Sequence, residues 1–412
     1  MPSNQIVFLL LDLVLIAAAA RVLGRVAERL GQPAVIGEIA AGIIAGPTIL
    51  GAHLSGMVFP QDIRSYLSAF ANVGVMIFMF LAGLEIDRGS FNGNRRVIGA
   101  VSLSAYVVPF VLGCIVAVAV LSRHERDNQL SFALFIGCAL AVTAFPVLAR
   151  ILHDRGLMGS RIGQLSLASA AIDDILAWTV LAIVIGVARP GANEQWRLLL
   201  FVPLVAAMWW IARPLLARIG RSTAPTTVNT MIFLAVSGAL LWGAATEWIG
   251  LHLIFGAFLF GVIFPRGHRP AVETGAQLLS SVFLPAFFVI AGLQVDLSSI
   301  DRAGIGEMLA ILLAALLGKL GGTYLAARAT GIERKEAGAL ASLMNTRGLT
   351  ELIILNVGLS IGLIGGQLYS MLVVMALVTT AMTSPMLKLF GVTSQERQFL
   401  VQAAEPTKVV AS

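Results

Sequence analysis

The chain has 412 residues, of which 58% are hydrophobic and only 12% charged, and its formal net charge is +6. An ordinary soluble domain carries about a quarter charged residues, so this one cannot cover itself with polar surface. Two cysteines exclude a disulfide scaffold, and the apolar content excludes disorder, which leaves a polytopic membrane protein.

Apolar runs taken in chain order predict about thirteen spans, near 5–29, 34–51, 64–86, 97–121, 130–151, 162–187, 198–217, 227–248, 250–265, 272–293, 305–328, 335–358 and 368–390. The fold class expected is therefore all-α, with short connections, a transmembrane domain over 1–390 and a polar cytoplasmic tail over 391–412. The first run lacks a basic start and is long enough to span and stay, unlike a signal peptide. Arginine and lysine gather on one side, at Arg21, Arg25, Arg29, Arg95, Arg96, Arg150, Arg155, Arg218 and Arg269 among others. Positive residues stay in the cytoplasm, so the N-terminus is expected outside and the C-terminus inside, in an inner (plasma) membrane. The basic residues are scattered singly, so no nucleic-acid partner is expected; the surrounding partner is the lipid bilayer.

The chain repeats itself. Asn72–Asp87 (NVGVMIFMFLAGLEID) and Ser281–Asp296 (SVFLPAFFVIAGLQVD) share Val73/Val282, Phe78/Phe287, Ala82/Ala291, Gly83/Gly292, Leu84/Leu293 and Asp87/Asp296. The preceding spans also echo, with Gly42-Ile43-Ile44 before Pro47 and Gly261-Val262-Ile263 before Pro265. Partners lie an odd number of spans apart, so the two six-helix halves run in opposite directions. Inverted repeats are the build of secondary transporters, whose sites lie at broken helices in matching positions of the halves. The candidates are ALAVTAFPVLARIL, with Thr143 and Pro146 at mid-depth, and ASLMNTRGLTELIILN, with Asn345, Thr346, Arg347 and Gly348.

Charges at mid-span are the sharpest signal, because each costs at least about 2.5–3.5 kcal/mol to insert. Those here are Glu38, Asp173, Asp174, Lys319, Arg347 and Glu351, with Asp12 nearer a span end. Asp173 and Asp174 are neighbours on a helix and point about 100° apart. One can line an aqueous cavity while the other meets an adjacent helix. Two close carboxylates in such a place suit a site that takes either a proton or a cation. Lys319 lies among Gly318, Gly321 and Gly322 and needs a carboxylate, for which Asp173 is the candidate. Arg347 and Glu351 are four apart and pair on one helix face if the segment is helical; a cross-helix pair with Glu38 is the alternative. These three are expected to brace the broken helix. No histidine or cysteine cluster has metal-ligand spacing, and no phosphate-binding loop or dinucleotide fingerprint occurs.

The pieces GEIAAGIIAGPTILG (37–51), FLAGLEID (80–87), TAFPVLARIL (143–152), AAIDDILAW (170–178), LGKLGG (317–322) and MNTRGLTELIILNVG (344–358) together resemble the monovalent cation/proton antiporters. They resemble the branch that holds bacterial sodium/proton antiporters, glutathione-gated potassium efflux proteins and plant cation/proton exchangers, and they cover nearly the whole chain in family order. The resemblance implies a homodimer, with dimerisation helices near 5–51 and 198–265 and a mobile core near 64–187 and 272–390 that moves like an elevator. It also implies that Asp174 is the ion-binding aspartate, Asp173 its variable partner, Lys319 the lysine paired with that partner, and Thr143 the break of the first discontinuous helix. The cargo would be Na+ or K+ against H+, with no cofactor and no enzyme chemistry. Plant exchangers usually carry asparagine where this chain has Asp173, and double aspartates often accompany electrogenic exchange, so stoichiometry stays open. Two rivals remain: a cation channel or gated potassium efflux pathway without proton coupling, and an intramembrane aspartyl protease. The protease needs two aspartates facing across a water, which adjacent residues on one helix do not naturally supply.

Overall fold

Backbone amides in hydrocarbon must be satisfied within the protein, so a chain this apolar folds as helices. The computed structural model describes residues 3–85, 95–125, 128–188, 200–221, 225–249 and 253–391, and no strand occurs among them. Asp87 of the repeat and the expected tail beyond Gly391 lie outside the described residues.

The helices are α1 (Ser3–Arg29), α2 (Ala34–Ala45), α3 (Gly51–Val58), α4 (Gln61–Glu85), α5 (Arg95–Ala119), α6 (Gln129–Ala141), α7 (Phe145–Asp154), α8 (Arg161–Ala188), α9 (Phe201–Ala207), α10 (Arg213–Ile219), α11 (Pro225–Ile249), α12 (Leu253–Ile263), α13 (Arg269–Leu293), α14 (Arg302–Leu316), α15 (Gly322–Ala329), α16 (Arg334–Met344), α17 (Leu349–Ser360) and α18 (Gly366–Leu389). Turns of π-helix join α9 to α10 over Met208–Ala212 and α14 to α15 over Leu317–Gly321. Among the described residues, nine helical stretches are long and apolar enough to cross a membrane. Shorter apolar helices cover Ala34–Ala45, Gln129–Ala141, Leu253–Ile263 and Thr350–Ser360. Only α3 has no counterpart among the predicted spans.

Two bundles form. The first gathers α1, α2, α4, α11, α12 and α13; the second gathers α5, α6, α8 and α14 to α18, with α7 against α8. The expected boundaries set 64–86 and 272–293 with the second group, whereas by contacts α4 and α13 sit with the first. The reason is close packing through glycine. A methyl group at Gly42 would fall 2.0 Å from the Val289 carbonyl oxygen of α13, and one at Gly261 would fall 2.0 Å from the Phe80 carbonyl oxygen of α4. Phe70 of α4 also stacks on Phe283 of α13, with ring centroids 5.8 Å apart. Small residues let helix backbones touch where lipid offers no hydrophobic contrast. These contacts fasten α4 and α13 to α12 and α2.

The second bundle is clamped at the end away from the arginine-rich face. Arg123, in the turn after α5, binds both oxygens of Asp301 at 2.9 Å and Glu307 of α14 at 2.5 Å. His124 Nε2 lies 2.8 Å from Glu307, and Gln367 of α18 donates to Asp301 at 3.0 Å. The Arg123 guanidinium holds the Asp301 carboxyl well below the usual carboxylate range. Asp301 also caps α14 by accepting from the Gly304 amide at 2.7 Å.

Candidate functional site

Two interrupted helices meet inside the second bundle. Asn128 starts α6 by accepting from the Leu130 and Ser131 amides at 2.9 and 3.2 Å. The helix stops at Ala141, Val142–Ala144 run without helical bonds, and α7 begins at Phe145. Pro146 stands in the first turn of α7, where its missing N–H costs nothing. Opposite, α16 ends at Met344 and α17 begins after Gly348. The two gaps bond to each other: the Ala144 amide donates to the Thr346 carbonyl at 3.0 Å. Thr380 of α18 accepts from the Arg347 amide and donates to the Arg347 carbonyl, both at 2.9 Å. Backbone groups freed by the breaks thus find partners without water, as burial requires.

Gly348 makes the second break possible. Its φ is +152°, and an added methyl would fall 2.6 Å from Val147 Cγ2 of α7. We expect Gly348→Ala to lower stability by about 1–3 kcal/mol, read as a drop in the unfolding midpoint in detergent.

The last carbonyls of α6 point into protein, where no solvent reaches them. Cations from the other half take them up. Arg347 donates to the Ala139 carbonyl at 3.0 Å and the Leu140 carbonyl at 2.5 Å, and lies 3.5 Å from Glu351. Lys319 donates to the Ala141 carbonyl. Positive charge at a helix C-terminus is favourable, and more so in a dry site.

Lys319 has a second carbonyl waiting. Pro109 sits inside α5 and has no N–H to give the carbonyl four residues back, at Ala105. Lys319 Nζ donates to that Ala105 oxygen at 2.9 Å. Gly318 permits the approach, since a methyl there would fall 2.6 Å from the Pro109 Cα. The π turn around Lys319 is a local irregularity of the sort that collects at functional sites. The signal for this arrangement was present in the sequence, as a proline inside an apolar span, but nothing local linked it to Lys319.

The third partner of Lys319 is Asp173 Oδ2, at 2.9 Å, and Thr143 Oγ1 donates to the same oxygen at 2.8 Å. All three side chains are fully buried. Asp173 Oδ1 has no hydrogen-bond partner among the described residues. Asp174, one residue on, has no ion-pair partner among the described residues. It keeps 6% of its surface exposed, against 0% for Asp173, and its Oδ1 is also without a partner. Thr350, in the first turn of α17, is buried near this carboxylate. Thr350 was not singled out in the sequence, because a threonine in an apolar helix carries no signal by itself.

Glu38 departs from expectation. Its carboxylate lies on Arg150 of α7, at 3.2 and 3.4 Å, and not on Arg347. Glu38 belongs to α2 in the first bundle, whereas Arg347 is already occupied by the α6 carbonyls and Glu351. Glu38 therefore does not brace α16 and α17.

The donors gathered here are oxygens: two carboxylate oxygens without a hydrogen-bond partner among the described residues, and the hydroxyls of Thr143 and Thr350. That set suits a hard cation or a proton. No group of three or more histidine, cysteine or acidic residues able to hold a metal occurs among the described residues.

Comparison with known proteins agrees with this chemistry. The family described as "Sodium/hydrogen exchanger, transmembrane" matches residues 14–390. The chain belongs to the sodium/hydrogen exchanger family. This exchanger-family chain is 38% identical over 405 residues to the Na(+)/H(+) antiporter NhaS4 of Synechocystis, covering 94% of this chain and 98% of that one. It is 34% identical over 403 residues to Cation/H(+) antiporter 20 of Arabidopsis thaliana, covering 92% of this chain. It spans only 48% of that plant relative's length. The solved structure of the sodium proton antiporter MjNhaP1 from Methanocaldococcus jannaschii at pH 8 superposes with a TM-score of 0.69, covering 97% and 99% of the two chains at 16% identity. Its fold is shared across nearly the whole length.

Proposed function

We propose that this exchanger-family member is a secondary active antiporter that trades Na+ or K+ for protons, with the two competing for Asp174. One observation carries the reading. Two adjacent buried carboxylates stand where two broken helices cross; one is tied to Lys319 and Thr143, the other has an oxygen left over. A carboxylate that cannot hold H+ and a metal ion together couples their movements in opposite directions. When the cation reaches the pair, Asp174 gives up its proton. The Lys319–Asp173 pair sets the charge beside it, and Thr143 fixes Asp173. The names of the relatives support monovalent cations and protons as cargo.

Thirteen crossings follow if each of the nine long stretches, α2, α12, and each broken pair (α6 with α7, α16 with α17) crosses once. The N-terminus is then outside and the C-terminus cytoplasmic. Inverted repeats are supported by the matched contacts described above: Gly42 meets Val289 as Gly261 meets Phe80, and these are corresponding positions of the two halves. Dimerisation is assigned to the first bundle, here including α4 and α13, and elevator movement to the second. A channel would need no proton counterflow. An aspartyl protease would need Asp173 free of its lysine.

The experiment is direct. Purified protein in acid-loaded proteoliposomes, followed with a pH-sensitive dye, should release protons when Na+ or K+ is added outside. Cation flux with no proton counterflow would favour the channel and end this reading.

A further inference from the structure

Beyond the ion site, a cavity of about 780 Å³ opens at the arginine-rich face. It lies between the bundles and is lined by Arg21, Arg25, Glu38, Ala149, Arg150 and Glu273, among others. Across its wall runs the one charge pair found between the two bundles among the described residues: Arg150 of α7, bound through both terminal nitrogens to the two Glu38 oxygens of α2, at 3.2 and 3.4 Å. Glu38 is buried, with 5% of its surface exposed, while the Arg150 side chain keeps 26%. Close by, Arg155, just past α7, donates to the Gly31 carbonyl in the α1–α2 turn at 3.3 Å and to Ser384 of α18 at 2.8 Å.

The position of α7 gives the pair its consequence. This helix starts directly after the break that carries Thr143, and Thr143 holds Asp173. Any displacement of the second bundle against the first moves Arg150 away from Glu38 and moves the ion site with it. Elsewhere the boundary is crossed by single hydrogen bonds, such as Tyr369 of α18 to the Ala291 carbonyl of α13 at 3.4 Å; a bidentate ion pair has two states, made or broken.

We propose that Glu38 and Arg150 form a latch between the bundles, which holds the conformation with the open arginine-lined cavity and must part in every transport cycle. This rests on the moving-bundle reading given above. The latch is a positioning device: neither residue touches the cargo. A buried carboxylate released from its arginine needs water, which the cavity supplies on one side only. The latch therefore weights the two conformations unequally, and removing it changes how fast they interconvert.

The test uses full-length protein in proteoliposomes. A Glu38→Cys, Arg150→Cys double variant, joined by oxidation or by a short bis-maleimide, should lose exchange; in the oxidised form, reductant should restore it. As a control, Arg123→Cys with Asp301→Cys joins α14 to the turn after α5 within one bundle and should leave exchange unaffected. Glu38→Gln and Arg150→Gln should each change the maximal rate by about threefold or more, the scale of a partly exposed ion pair. The swapped pair, Glu38→Arg with Arg150→Glu, should return towards the wild-type rate. If the swap does not fold, Glu38→Asp serves instead: it keeps the charge, shortens the reach, and should change the rate in the same direction as Glu38→Gln. Full exchange in completely cross-linked protein, or wild-type rates in all the single variants, would overturn the latch. Wild-type protein that shows no cation-driven proton movement would instead overturn the antiport reading, and would be seen before any variant is made.

Discussion

Asp174→Asn is expected to abolish exchange and leave a folded protein. The amide keeps the size of the carboxylate and can still accept a hydrogen bond. It cannot take up or release a proton and holds a cation weakly. No salt bridge is lost, because among the described residues Asp174 has none; the structural ion pair belongs to Asp173 and Lys319. Neutralising a carboxylate that is nearly dry also removes a desolvation cost, so the unfolding midpoint should hold or rise. The measurement pairs proton release in proteoliposomes with thermal unfolding in detergent. Substantial transport by the variant would refute the competition mechanism. Loss of transport together with loss of folding would say that the residue is structural.

Arg347→Met is expected to do the reverse, damaging the fold before the chemistry. The methionine fills much of the same volume but leaves the Ala139 and Leu140 carbonyls without donors. It also leaves Glu351 buried at 0% exposure with its cation gone. Removing one partner of a buried pair costs about 3–5 kcal/mol. The end of α6 would also lose its compensating charge, so the break at Val142–Ala144 should loosen. Yield of monodisperse protein and its unfolding midpoint are the readouts. A variant as stable as wild type would mean that water already satisfies those carbonyls. The contrast between these two variants separates the residue that handles the cargo from the residue that holds the crossing together.

The same contrast explains what was legible from the chain. A charge in hydrocarbon is costly wherever it sits, so Asp173, Asp174, Lys319, Arg347 and Glu351 stand out in sequence with no knowledge of the fold. Helices had to form because lipid offers the backbone no partners, and their periods and breaks are local. Proline at 146 and glycine at 348 mark the interruptions, and both are interrupted in the structure. Asp173 stood as a candidate partner for Lys319, since a buried ammonium needs a carboxylate, and the two pair at 2.9 Å.

Partner choice between distant charges was less legible. Glu38 stood as a possible partner of Arg347, because both are buried and of opposite sign. The structure sends Glu38 to Arg150 and gives Arg347 to the end of α6. Arg150 carried no signal of its own, being one more arginine at a span end. Bundle membership was no more legible. α4 and α13 carry the repeat that drew attention to the core, yet they pack through glycine with α2 and α12.

The chain by itself determined a helical membrane protein, two interrupted spans, and an acidic pair next in line to a lysine. These follow from solvent: lipid punishes every unpaired amide and charge, residue by residue. Tertiary structure alone decided that Pro109 frees a carbonyl for Lys319, that cations from one half cap α6 of the other, and that Glu38 bridges the bundles through Arg150. Those are contacts between residues far apart in sequence, where several partners satisfy the same charge and only the packed geometry selects one.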